Sequence, residues 1–322
     1  MTTTPVTAVA AATDPEPVVP PVRPRRASGK RDTRVALVFL APWLIGLVLL
    51  TIGPMIYSLY LSFTSYNLLS SPTWVGLDNF RTLFTLDQRY LTSIRVTLVY
   101  VVTSVPLVLV VSMLVAILLN SRIRFLTSYR ALFYLPSLIG TSVAIAALWR
   151  QVFGAEGLFN EALRLVGIEH TSWVGSPDTA LGTIVALGVW SFGSTMIIFL
   201  AGLRQVPKEL LEAAAVDGAG PLRRFFSVTL PMMTPIVFFN GLMVTINAFQ
   251  VFTGAFVISN GTGGPANSTL FYTLYLYEQG FTRLNMGYAS AMAWVLVGGL
   301  GIFTAIYFWT SRYWVYYGDN KR

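Results

Sequence analysis

RQVPKELLEAAAVDGAGPLRRFFSVTLPMMTP, residues 204–235, is a polar stretch of helical design set between long apolar runs. Pro207 suits the first turn of a helix, where its missing N–H is not needed. Glu209 and Glu212 lie near the positive end of that helix, and three alanines carry it on. Gly218, directly after Asp217, can take the left-handed conformation that ends a helix. A second start follows at Pro221, and the segment holding Arg223, Arg224, Phe225 and Phe226 is expected to break at Leu230-Pro231. The plan is helix, glycine turn, helix.

The chain around this stretch is 54% hydrophobic and 11% charged, with a mean hydropathy of +0.63. That is too apolar for a domain that must cover itself with polar surface, so the bilayer is its solvent. Apolar runs long enough to cross a hydrocarbon core of about 30 Å fall at 35–63, 96–119, 132–152, 180–203, 235–258 and 286–309. The fold class expected is an all-α membrane protein with six transmembrane helices. Pro42 and Pro54 lie in the first span, where a helix in a bundle tolerates them as bends. The basic residues at 23–34, 122–130, 204–224 and 312–322 share one side of this arrangement. Only Arg81, Arg89, Arg95, Arg150, Arg164 and Arg283 fall on the other. The bias predicts both termini, and the 204–234 loop, in the cytoplasm.

Residues 1–33 are rich in Ala, Thr, Val and Pro and then in Arg, with no apolar periodicity, and read as a disordered basic tail. The apolar run after them is about twice the length of a signal-peptide core and lacks an A-x-A-like end, so an uncleaved anchor is expected. Residues 34–315 then form the membrane domain, and 316–322 a short cytoplasmic tail. The net charge of +8 sits between apolar spans rather than in a nucleic-acid-binding patch. Cysteine is absent and His170 is the only histidine, so no metal set is expected.

Glu212-Ala213-Ala214, then Asp217-Gly218, then Leu230-Pro231, resembles the "EAA" loop in the permease subunits of binding-protein-dependent ABC importers. Val228 stands where that family prefers an isoleucine-like residue. The resemblance looks closest to the carbohydrate-uptake branch, of which the maltose importers are members. IGPMIYSLYLSFTSYNLL at 52–69, WVGLDNFRTLF at 74–84 and SNGTGGPANST at 259–269 resemble that branch as well.

The resemblance implies an ABC type I importer permease fold in the cytoplasmic membrane, N-in and C-in, with a cytoplasmic coupling helix. Leu211, Glu212, Ala213, Ala214, Asp217 and Gly218 would then meet an ATPase subunit. It also implies a second homologous permease, an ATPase dimer and an extracytoplasmic solute-binding protein as partners. On physical grounds alone, the same loop could instead lie on lipid headgroups, held by Arg223 and Arg224.

No G-x-x-x-x-G-K-[ST] stretch is present, so ATP and Mg belong to a partner and this chain binds no cofactor and is no enzyme. The acids all fall in connections or tails, with Glu278 nearest to an exception, which speaks against a proton-coupled carrier. Asn240, Asn247 and Gln250 are costly in lipid and mark the fifth span as a solute path or as polar glue between helices. By resemblance to the maltose branch, Asn247 and Gln250 would hydrogen-bond a sugar and Phe249 would stack on it. Trp190, Ser191 and Ser194 are weaker candidates. The function expected is half of an ATP-driven import pore for sugars, or by the same mechanism for polyols or glycerol phosphate. An autonomous secondary carrier is the alternative.

Overall fold

The computed structural model describes residues 30–121, 125–140, 142–168 and 172–316. Residues 1–29 of the expected tail, Arg122, Arg124, His170 and residues 317–322 lie outside the described residues. The chain divides into two units, residues 1–55 and 56–322.

The first unit holds helix α1 (Lys30–Leu47), a π turn at Val48–Ile52 and the start of α2 (Gly53–Ser62). Helix α1 begins at Lys30, within the last residues of the expected tail. Trp43, Leu49 and Leu50 stand at its surface, as befits a segment whose solvent is hydrocarbon.

The second unit continues α2 into a short antiparallel hairpin, β1 (Thr64–Ser65) with β2 (Thr73–Trp74), pairing Thr64 with Trp74 and Ser65 with Thr73. Then come α3 (Asp78–Thr85), α4 (Gln88–Leu119), α5 (Leu126–Ile139), α6 (Val143–Val152) and α7 (Leu158–Arg164). Next are α8 (Ala180–Trp190), α9 (Gly193–Leu203), α10 (Lys208–Val216) and α11 (Pro221–Arg224). After a π turn at Phe225–Thr229 follow α12 (Leu230–Phe249), α13 (Thr253–Ile258) and α14 (Tyr272–Tyr277). A π turn at Glu278–Thr282 leads to α15 (Met286–Trp314). Among the described residues four helices are long and apolar enough to cross a membrane, or six if each of two bent pairs is one span.

The bent pairs correct the expectation of unbroken spans at 132–152 and 180–203. Helices α5 and α6 diverge by 99°, and α8 and α9 by 43°. In the first pair Ser142 caps a new helix by accepting the N–H of Ile145 at 3.3 Å. In the second, Gly193 lets α9 lie against α5: a Cβ there would sit 2.6 Å from the carbonyl oxygen of Phe133. Ser112 of α4 donates to the carbonyl of Phe192 at the bend, at 3.2 Å. The fifth span is also interrupted, at Gln250–Phe252.

The expected break at Leu230-Pro231 does not occur, and helix runs from Pro221 rather than from Pro235. The π turn accommodates the proline, with the Leu230 N–H reaching back five residues to Phe225. Pro235 cannot donate to the carbonyl of Pro231, and the Thr234 hydroxyl does so instead, at 2.7 Å. The second span starts at Gln88 rather than 96 because Asp87 caps it, accepting the Tyr90 N–H at 3.0 Å.

Helix α4 is the axis of this unit, packing against α8, α9 and α12. Its buried polar residues Ser93, Thr97, Ser104 and Ser112 line up with Tyr100 at helical spacing, so one stripe faces the other helices throughout. Gly193→Val places a branched side chain against the backbone of Phe133 and Tyr134. It is expected to cost about 1–3 kcal/mol, read as a lowered unfolding temperature of the detergent-solubilised protein.

Candidate functional site

Two places gather the candidate residues. The first is α10. Pro207 is its N-cap rather than its first helical residue, and Gly218 ends it at φ +78°. The Ala219 N–H donates to the Ala214 carbonyl at 2.9 Å and the Gly218 N–H to that of Ala215 at 3.1 Å, which is a Schellman stop. Leu211 packs inward on the cluster formed by Ala116, Leu119, Met196, Phe199 and Leu203. It anchors the helix to the bundle with the rest of its side chain partly exposed. Ala214 is half-buried on the same side, while Glu212, Ala213 and Asp217 face out. Val216, 88% exposed, extends this outer face, which is therefore made of acids and small apolar groups. From Gly220, α11 leads through the π turn directly into α12.

The second place is a cavity of about 560 Å³ bounded by α4, α5, α8, α9 and α12. All three interrupted spans meet there: Gly140 and Ser142 from the third, Ser191, Ser194 and Thr195 from the fourth, Gln250 and Phe252 from the fifth. Non-helical backbone at membrane depth is tolerated where it lines such a hollow, because water or solute can satisfy its polar groups. Tyr100 and Ser104 of α4 add hydroxyls.

Asn247, Gln250 and Ser194 line this cavity, whereas Phe249 and Trp190 do not. Phe249 lies 6.2 Å from the ring of Phe303, and Trp190 lies 5.9 Å from that of Trp149. The ring that reaches the hollow from the fifth span is Phe252. Asn240, only 2% exposed, donates to the Ile236 carbonyl one turn back and stays within its own helix. Neither Asn247 nor Gln250 makes a side-chain hydrogen bond among the described residues, so both amides remain open to an occupant. Sequence reading missed Tyr100, Ser104, Ser142 and Thr195, although the period of the polar residues along α4 carried a signal for the first two.

A polar network ties the start of α4 to the last connection and α15. Tyr275 and Tyr288 both donate to Asp87 Oδ2, at 2.6 and 2.5 Å, and Gln279 donates to the Tyr275 hydroxyl at 2.6 Å. Glu278 accepts two bonds from Arg89, at 2.7 and 2.9 Å, and two from Arg283, at 2.7 and 3.0 Å. It is thus a paired acid between spans and not a lone intramembrane one.

Burial pushes the Asp87 carboxyl up, but the two phenols and the N–H groups of Tyr90 and Arg89 hold it below its ordinary 3.8. Burial likewise raises Glu278, and the pairing with Arg89 and Arg283 outweighs it, holding the group below its ordinary 4.5. Burial, with the bond to Asp87, lifts Tyr275 to about 12, so it remains a donor. For groups depressed on folding, the stabilisation is complete above the ordinary value and is lost as pH falls through the folded one. The unfolding temperature in detergent is expected to hold from pH 7 to 5 and to fall below about pH 4, and Asp87→Asn is expected to flatten that fall.

Residues 85–313 match the family model described as binding-protein-dependent transport system inner membrane component. The chain is 50% identical over 293 residues to the probable ABC transporter permease protein YesP of Bacillus subtilis, covering 91% of this chain and 95% of that one. It is 32% identical over 268 residues to the arabinooligosaccharides transport system permease protein AraP of Halalkalibacterium halodurans, covering 82% and 83%. Its fold is similar to a chain in the crystal structure of a bacterial alginate ABC transporter in complex with alginate pentasaccharide-bound periplasmic protein. The TM-score is 0.76 at 21% identity, covering 88% of this chain and 95% of that one. The match across 85–313, which takes in both α10 and the cavity, places this chain in the inner-membrane permease family of binding-protein-dependent ABC importers.

Proposed function

We propose that this permease forms one half of an ATP-driven import pore for an oligosaccharide or a related polyhydroxylated solute. The observation that carries the reading is the pair of unpartnered amides, Asn247 and Gln250, facing a hydroxyl-lined cavity where three spans are interrupted. Amides that only glued helices together would be bonded to a neighbouring helix. A sugar supplies donors and acceptors for such amides and an apolar face for the Phe252 ring. The arabinooligosaccharide relative supports that class.

In this reading six spans place both termini in the cytoplasm, with residues 34–315 as the membrane domain and 204–234 as the coupling loop. The outward residues Glu212, Ala213 and Asp217 dock in an ATPase subunit, which holds ATP and Mg. A second permease completes the pore, and an extracytoplasmic binding protein delivers the solute.

The test is uptake by the complete transporter in proteoliposomes with a panel of arabinose and galactose oligosaccharides, polyols and glycerol phosphate. With the solute that is imported, Gln250→Ala and Asn247→Ala are each expected to lower uptake up to about tenfold, the worth of one hydrogen bond. Unchanged uptake in both variants at equal protein levels would sink the solute-path assignment. Gradient-driven flux through the chain alone would instead favour a secondary carrier.

A further inference from the structure

A second hollow, of about 300 Å³, lies between α4, α9 and the first half of the fifth span and shares no lining residue with the hydroxyl-lined cavity. Its wall is apolar and includes Met113, Leu114, Ile117, Phe199, Phe226 and Leu230. Phe226 is 61% exposed and meets the Phe225 ring edge-on at 5.1 Å. The two residues before these rings are Arg223 and Arg224. Among the described residues the ion pairs join Glu278 to Arg89 and Arg283, so neither Arg223 nor Arg224 meets a carboxylate. The Arg224 Nε is shielded from solvent and has no acceptor.

We propose that this groove holds an acyl chain of an anionic phospholipid whose phosphate sits on Arg223 and Arg224. A groove in a bilayer can be filled by a hydrocarbon chain or by another protein's helix, and the charge decides between them. An apolar helix leaves two guanidinium groups unanswered. A phosphate supplies several acceptors to the planar guanidinium fork. Head site and tail site are consecutive in the chain, matching an amphiphile whose charge and hydrocarbon are joined. The lipid would lie at the joint between α10 and α12, where the π turn makes the helix least regular. The proposal rests on the groove and its charges alone and holds whichever solute the pore carries.

The test is native mass spectrometry of the transporter purified with its partner subunits, after exchange against phosphatidylglycerol or phosphatidylcholine of equal chain length. Wild type is expected to retain phosphatidylglycerol about thirtyfold over phosphatidylcholine, the scale two arginines supply against an anionic head. Arg223→Gln with Arg224→Gln is expected to abolish the preference, and Leu114→Trp, which fills the groove, to lower retention of both lipids. As a measure that needs no variant, phosphatidylglycerol should raise the unfolding temperature of wild type more than phosphatidylcholine does. Equal retention of the two lipids by wild type, or an unaltered preference in the double arginine variant, would overturn the proposal. So would efficient disulfide crosslinking of Phe226→Cys, in a chain with no native cysteine, to a cysteine in a second polypeptide in native membranes.

Discussion

Solute-stimulated ATP hydrolysis is expected to fall to background in Glu212→Lys, while the protein stays in the membrane. The carboxylate stands on the outward face of α10, unpaired within the described residues, so reversing its charge costs little folding energy. At a docked surface the same reversal sets like charges together where a charge-assisted bond had formed, and removing such a bond alone costs about 1.5–3 kcal/mol. Gly218 gives a graded companion. At φ +78°, with open space around the position, a substitution there meets conformational strain and not a clash. Asn tolerates this backbone best, Ala costs about 1–2 kcal/mol, and Pro, locked near φ −65°, cannot form the stop at all. Coupled hydrolysis is expected to decline in that order. Normal coupling in both Glu212→Lys and Gly218→Pro would show that α10 does not carry the signal.

Asp87→Ala is expected to be the most destabilising of the single changes considered. It strips the acceptor from two buried phenols, Tyr275 and Tyr288, and removes the cap of α4. Each orphaned donor costs about 1–3 kcal/mol and the cap about 1 kcal/mol. The sum should reach several kcal/mol, read as early unfolding or failed accumulation in the membrane. Tyr288→Phe removes one phenol together with its demand for a partner, so it should cost less. A double variant of Asp87→Ala with Tyr288→Phe should cost less than the two single losses added together. Strict additivity would mean that the network does not act as a unit.

The apolar spans were legible because hydrocarbon imposes length and composition on any helix that crosses it. Their interruptions were not. Gly140, Ser142 and Gly193 sit in runs apolar enough to read as continuous, and the bends depend on contacts from elsewhere, such as Ser112 reaching Phe192. Pro231 misled in the opposite direction, since a π turn and the Thr234 hydroxyl absorb what a proline normally breaks. The stop at Gly218 was plain because a left-handed residue after an alanine-rich helix has few substitutes. In the cavity, Asn247 and Gln250 stood out by the cost of an amide in lipid. The sequence pointed to Phe249 as the stacking ring, but the interruption at Gln250, which no local pattern marks, turns Phe252 to the hollow instead.

The helix that begins at Pro221 also carries Asn247. At about 1.5 Å per residue, roughly 40 Å of rod separates the residues next to the coupling turn from the amides at the hollow. A rod of that length converts a small tilt at one end into a sideways sweep at the other, less whatever the π turn at Phe225–Thr229 takes up. In the proposed assembly the stretch from Asp217 to Gly220 joins this rod to the helix that docks in the ATPase, and lengthening it is expected to slacken the link and lower coupled uptake.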